Sequence, residues 1–285
     1  MIWVNGKEWG QVQFPNKEHQ FLTVRHPCTL TTRIVVRYDG DDDLFKLVML
    51  LEYCKLKGVK PSIMIPYLPY ARADRYTNQD ELPTLKFLAE VLNRYDVYQI
   101  TTYDVHSESA RLLINQLDEL SIVGGNRSPY LYFEQVVLEN AVDYIFLPDA
   151  GAKKRYEESL KDYKVFCGSK HRGEGGKLSN LTLIDPPDLK DKVVCIVDDI
   201  CCKGGTAYGF AKLLREAGAK NVILLVTHCE PAIFDGRILN DYIIGKVYTT
   251  NSILRKKHEN VMFRTVPSAC GSSQRIGQFF SYFFQ

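Results

Sequence analysis

Short apolar runs alternating with longer amphipathic stretches constrain this chain more than any other feature. RIVVRY (33–38) and SIMIPY (62–67) have the length and composition of buried strands. Between them, DDDLFKLVMLLEYCKLKG puts acids first, a Leu/Val/Met stripe next, lysines late and Gly58 at its end. That charge order suits the dipole of a helix. LPTLKFLAEVLNRYD predicts a second helix and VYQITTY a third strand. The turn-rich passage SIVGGNRSPY (121–130) then interrupts the pattern, which resumes as helix YLYFEQVVLENA, strand YIFLPDAG, helix AKKRYEESLKDY and strand KVFCGSK. KVVCIVDDI, a helix near TAYGFAKLLREAGA and the strand NVILLVTHC complete it. Successive parallel strands need crossover helices, so the pattern predicts an α/β class with mostly parallel sheets flanked by helices. It divides into two domains, 1–127 and 128–285.

Charge and cysteine usage narrow the function classes. Lys plus Arg number 36 against 34 Asp plus Glu, a net charge of +2, and no basic field calls for nucleic acid. The start MIWVNGKEWGQVQF lacks the basic-then-apolar order of a secretory leader. Apolar stretches such as NVILLV are far too short to span a bilayer. None of the eight cysteines forms a CxxC pair, so no zinc site is expected and reduced thiols in a cytoplasmic protein are the expectation.

CIVDDICCKGGT (195–206) carries the chemistry. Asp198 and Asp199 close a strand, and the chain then turns into a helix expected to begin near Thr206. Ligands of open parallel sheets bind beyond the carboxyl ends of strands. Backbone N–H groups in such a turn cradle an anion, with Gly204 and Gly205 permitting close approach and Thr206 adding a hydroxyl. The two carboxylates would repel a bare phosphate but accept hydrogen bonds from sugar hydroxyls. A sugar phosphate suits both halves; the plain alternative is a strand–helix turn with an acidic cap.

This stretch resembles the phosphoribosyl-diphosphate (PRPP) loop of type I phosphoribosyltransferases and of PRPP synthetases. FPNKE (14–18), PYLPYARADRY (66–76), YDVHSE (103–108), LPDAGAKKR (147–155), SKHR (169–172) and VTHCEPAIFDGRI resemble, in order, segments of the ribose-phosphate diphosphokinases. The resemblance implies two tandem type I phosphoribosyltransferase-like domains. It implies transfer of the diphosphoryl group of ATP to ribose 5-phosphate, with Mg2+ as cofactor and a homo-oligomer as the working form. It assigns Lys170 and Arg172 to catalysis, and Phe14, Asn16, Glu18, Arg72, Asp74, Arg75 and His106 to ATP, with Asp74 orienting the arginines. Asp198, Asp199, Cys202, Lys203, Gly204, Gly205 and Thr206 fall to ribose 5-phosphate, and His106 and Asp149 to the metal. Asp149 has a second reading as the N-cap of the helix that follows it. Cys202-Lys203 replaces an acid and a hydroxyl of the usual loop, and Lys17 and Ala73 replace a glycine and a glutamine.

In an extended segment Lys170 and Arg172 fall on one face, ahead of the glycine-rich RGEGGK, whose spacing is not that of a Walker A loop. LRKKH reads as a solvated surface, and the aromatic tail QFFSYFFQ as a segment that docks on the protein or on a second subunit. Two other functions stay open: a PRPP-consuming phosphoribosyltransferase, which has no need of RADR, DVHS or the Lys-x-Arg pair, and a catalytically silent regulatory relative of the synthetases.

Overall fold

The computed structural model describes residues 1–22, 32–76, 80–123, 132–172 and 178–265. The tail QFFSYFFQ, most of RGEGGK and most of the turn-rich passage at 121–130 lie outside them. Contacts divide the described residues between Leu120 and Ser121 into two units.

In the first unit the strands are β1 (Ile2–Val4), β2 (Lys7–Glu8), β3 (Gln11–Gln13), β4 (His19–Phe21), β5 (Arg33–Val36), β6 (Ser62–Met64), β7 (Gln99–Tyr103) and β8 (Leu117–Leu120). Helices α1 (Asp41–Leu56), α2 (Thr84–Leu92) and α3 (Ser109–Leu113) connect the later ones. One sheet has the order β2-β1-β5-β6-β7-β8, parallel from β5 to β8 with β1 and β2 added antiparallel, while β3 and β4 form a separate hairpin. α1 runs where its charge order predicts. Three acids open it, and Gly58 (φ +65°) closes it as the N–H of Val59 returns to Cys54 O and that of Gly58 to Lys55 O, both 3.0 Å. Leu47, Leu50, Leu51 and Cys54 bury its inner stripe against Ile34, Val36 and Ile63.

The second unit contains α4 (Tyr132–Glu139), β9 (Tyr144–Leu147), α5 (Ala150–Tyr156), β10 (Val165–Arg172), β11 (Leu178–Ile184), β12 (Val193–Cys201), α6 (Gly205–Glu216), β13 (Asn221–Cys229), β14 (Val247–Thr250) and β15 (Val261–Arg264). Their order is β11-β10-β9-β12-β13-β14-β15, all parallel except β11 on β10. α5 is shorter than AKKRYEESLKDY suggested: it ends at Tyr156 and a single 3-10 turn, Glu158–Leu160, follows. From β9 the chain crosses outward to β10 on one side, and from β12 outward to β13 on the other. The carboxyl ends of neighbouring β9 and β12 therefore flank the point where the winding reverses, the place such sheets reserve for ligands. Phe146, Phe166 and Phe210 fill the core beneath, with ring centroids 4.9–5.0 Å apart. No helix among the described residues is long and apolar enough to cross a membrane.

Candidate active site

The loop after β12 has the form of an anion cradle. Gly204 is the residue before α6, left-handed at φ +75°, and its carbonyl accepts the N–H of Tyr208 at 2.8 Å. The helix starts at Gly205, one residue ahead of the expected Thr206, because Gly204 rather than a side chain makes the turn. No side chain caps α6, so its first-turn N–H groups and the positive end of its dipole remain available to an anion. Cys202 and Thr206 are half-buried and Lys203 and Gly205 exposed. Ile238, itself buried, packs directly beneath Gly204.

Beside this loop lies a cluster of three acids and two cations. Asp199 is 4% exposed and forms an ion pair with Arg155 Nη1 at 3.2 Å. Asp198 keeps part of its surface accessible and accepts the N–H of Asp199 at 2.9 Å. Burial pushes the Asp198 carboxyl well above the usual carboxylate range, and the Asp199 charge adds to the rise. Asp149, just past β9, caps α5 by accepting the N–H of Ala152 at 2.9 Å and forms an ion pair with Lys170. Burial raises its carboxyl, but the Lys170 ammonium and the Ala152 N–H outweigh burial and hold it below the usual range. Strand order β10-β9-β12 brings Lys170 on β10, Asp149 in the turn just after β9 and Asp198 on β12 to neighbouring positions.

Between Lys170 and His171 the pairing on β11 steps two residues, from Leu181 to Ser179, so the extra residue, Asn180 at φ +48°, lies in β11 and β10 itself runs without a bulge to Arg172. The side chain of Arg172 lies outside what the structure describes; its backbone ends β10.

The residues expected to meet ATP fall on the first unit. β6 and β7 are parallel neighbours, and the segments beyond their carboxyl ends meet: Ser107 donates to Asp74, as does Ser109 at 3.3 Å. Asp74 also receives both Arg75 Nε and Nη2 at 2.9 Å. The Arg75 guanidinium, against some opposition from burial and with help from Ser107, holds the Asp74 carboxyl down at about 2. Arg72, Arg75 and His106 are exposed beside this carboxylate-centred knot. Phe14, Asn16 and Glu18 lie apart from it, on the turn of the β3–β4 hairpin. The Phe14 N–H reaches Glu18 O at 2.8 Å, the Glu18 N–H reaches Asn16 Oδ1 at 3.2 Å, and Phe14 is 45% exposed. Lys17 sits there at φ +71°, a left-handed position that glycine fills without strain.

The donor set fits magnesium. Among the described residues no group of three or more His, Cys, Asp or Glu is arranged to cage an ion. Magnesium needs no such cage, since one or two carboxylates with waters and substrate phosphates suffice. Asp149, with one oxygen on a backbone N–H and the other on an exchangeable ammonium, can provide such a ligand.

Sequence reasoning missed three contributors: Arg155, Ser107 with Ser109, and the segment around Gly236 and Ile238 that supports the loop. A Cβ on Gly236 would collide with the carbonyl of Lys203. Arg155, Ser107 and Gly236 all lay inside matched segments, but only their long-range partners reveal what they do.

No protein-family model matches the chain. Curated relatives do. The ribose-phosphate pyrophosphokinase of Prochlorococcus marinus subsp. pastoris is 29% identical over 221 residues, 75% of this chain and 64% of that protein. That of a second Prochlorococcus marinus strain is 30% identical over 223 residues, 75% and 65%. That of Gloeobacter violaceus is 29% identical over 220 residues, 75% and 64%. The match thus spans slightly less than two thirds of these relatives' length. In fold, the chain resembles the crystal structure of phosphoribosylpyrophosphate synthetase from Mycobacterium smegmatis, with a TM-score of 0.71 and 20% identity over 90% of this chain and 86% of that one. The two mostly parallel sheets with flanking helices agree with the expected fold class, and the curated relatives carry the name of the family that the motifs resemble.

Proposed function

We propose that this divergent relative of the ribose-phosphate pyrophosphokinases transfers the β,γ-diphosphoryl group of ATP to the anomeric hydroxyl of ribose 5-phosphate, giving PRPP and AMP. The observation that carries the proposal is the uncapped N-terminus of α6 beside the Asp198–Asp199 pair. The cradle of Cys202, Lys203, Gly204, Gly205 and Thr206 suits the 5-phosphate, and the carboxylates suit the ribose hydroxyls. On this reading the second unit is the ribose 5-phosphate domain and the first the ATP domain, where Arg72, Arg75 and His106 meet the phosphates. Phe14, Asn16 and Glu18 would complete the adenine site of a second copy, making the active form a homo-oligomer.

Little covalent chemistry falls to the protein in such a transfer; it positions the reactants and stabilises charge. Lys170 stands beside Asp149 at the end of β10, where its ammonium can leave that carboxylate for a bound phosphoryl oxygen. Lys170 and Arg172 then stabilise charge moving toward the leaving AMP oxygen. Asp149 would hold Mg2+ together with phosphate oxygens, and the ion would supply further neutralisation of the polyphosphate. The test is incubation with ATP, Mg2+ and ribose 5-phosphate. Formation of AMP and PRPP in equal amounts is expected, and AMP formation independent of ribose 5-phosphate, or none at all, overturns the proposal.

A further inference from the structure

α5 carries three cations in its last turn, and they behave differently. Lys153 is 51% exposed and pairs with Glu157 along the helix at 3.6 Å. Arg155 turns inward instead: its side chain is 17% exposed, lies 5.7 Å from the Tyr156 ring centre, and meets Asp199 at the end of β12. The direction follows from helix geometry, since side chains lean toward the N-terminus of their helix, here the end at the ligand-facing edge of the sheet. A largely buried ion pair is a weak source of stability, because well-packed apolar residues of similar volume do as well. What a guanidinium fork does provide is orientation, because it is planar and its donors are fixed.

Asp198 and Asp199 are consecutive, and the N–H of Asp199 donates to Asp198. The angle of the Asp199 backbone and side chain therefore bears on the Asp198 carboxylate. Asp199 is buried, whereas Asp198 keeps accessible surface. Of the two, Asp198 is the acid that a sugar can reach.

We propose that Arg155 is a positioning residue for the acid pair: it fixes Asp199 so that Asp198 presents its carboxyl edge to the hydroxyls of a bound ribose phosphate. The proposal rests on the ribose 5-phosphate reading above, and its test does not depend on turnover. Calorimetric titration with ribose 5-phosphate gives Kd for the wild type, Arg155→Met and Arg155→Lys, with ATP affinity as control and thermal melting as the check on folding.

Arg155→Met should raise Kd for ribose 5-phosphate about tenfold, the loss expected for one misplaced polar contact, and leave that for ATP within about twofold. Arg155→Lys keeps the charge but not the fork, so it should fall between, and millimolar guanidinium should restore part of the affinity of Arg155→Ala, whose truncated side chain leaves room for the ion. A purely structural arginine would lower the melting temperature and the fraction of binding-competent protein while leaving Kd alone, and that result overturns the proposal. If Arg155→Met does not fold, Arg155→Lys decides in the same way. Wild-type protein that binds ribose 5-phosphate without forming AMP removes the diphosphokinase reading and leaves this test intact. Wild-type protein that binds no ribose 5-phosphate overturns both.

Discussion

Substituting alanine for Gly204 tests the architecture of the loop in a single step. Two costs can be read from the structure. Gly204 is at φ +75°, where a side chain costs roughly 1–2 kcal/mol relative to glycine. A Cβ built there would lie 2.8 Å from Ile238 Cδ1, 3.0 Å from its Cγ2 and 3.1 Å from its Cβ, and Ile238 is 1% exposed with little room to retreat. Overpacking of this kind adds about 1–3 kcal/mol. The sum, about 2–5 kcal/mol, is to be measured by urea denaturation followed by circular dichroism. Repeating the substitution in an Ile238→Val background removes the nearest atom. The cost of Gly204→Ala should then fall by about 1 kcal/mol, while the backbone part stays. The same change moves the first turn of α6, so ribose 5-phosphate binding should weaken beyond what stability predicts. A Gly204→Ala variant within about 0.5 kcal/mol of wild type, the range of ordinary surface substitutions, would refute the reasoning from left-handed backbone and buried contact.

Other consequences are equally concrete. Lys170→Ala should lower kcat on the order of 10²–10³ with far smaller changes in KM, because its contact is strongest in the transition state; steady-state kinetics in which only KM moves would remove it from catalysis. The Asp74 carboxyl titrates at about 2 rather than 3.8, so the unfolded chain takes up its proton first as pH falls. Its contribution is complete above the unfolded value and is lost between about pH 4 and pH 2. Because Arg75 is 75% exposed, solvent screens the pair and keeps this contribution small. Asp74→Asn should flatten the acid limb of the stability curve in that window, and an unchanged limb in acid titrations speaks against the pairing. Light scattering at working concentration should find at least a dimer if Phe14, Asn16 and Glu18 complete a neighbour's site, and a fully active monomer would remove that role.

The chain by itself determined its alternation of strands and helices, because the causes are local. Acids at one end of DDDLFKLVMLLEYCKLKG and Gly58 at the other set α1 within a few residues, and apolar runs of strand length set β5, β6, β7, β9, β12 and β13. The Asp-Asp pair and the Gly-Gly-Thr turn were likewise legible, since a strand end and a helix start are written in adjacent residues. Where local signals compete, the outcome was not legible. AKKRYEESLKDY is helical in pattern throughout, yet the α-helix stops at Tyr156, whose buried ring is held by the second unit's core rather than by its neighbours. The extra residue of β11, Asn180, was not legible either, because a bulge exists only against the register of the partner strand.

The electrostatics of the site were decided only by tertiary structure. Which cation meets which acid follows from strand order, and strand order follows from burying both faces of a sheet whose members lie far apart in sequence. That is why Arg155 finds Asp199 and Lys170 finds Asp149. The same long-range packing brings Ile238 beneath Gly204 and Gly236 against Lys203, turning a short glycine loop into a supported one. The residue types that could bind a sugar phosphate are a property of the sequence; their ionisation and their orientation are properties of the fold, because charge interactions depend on distance in space.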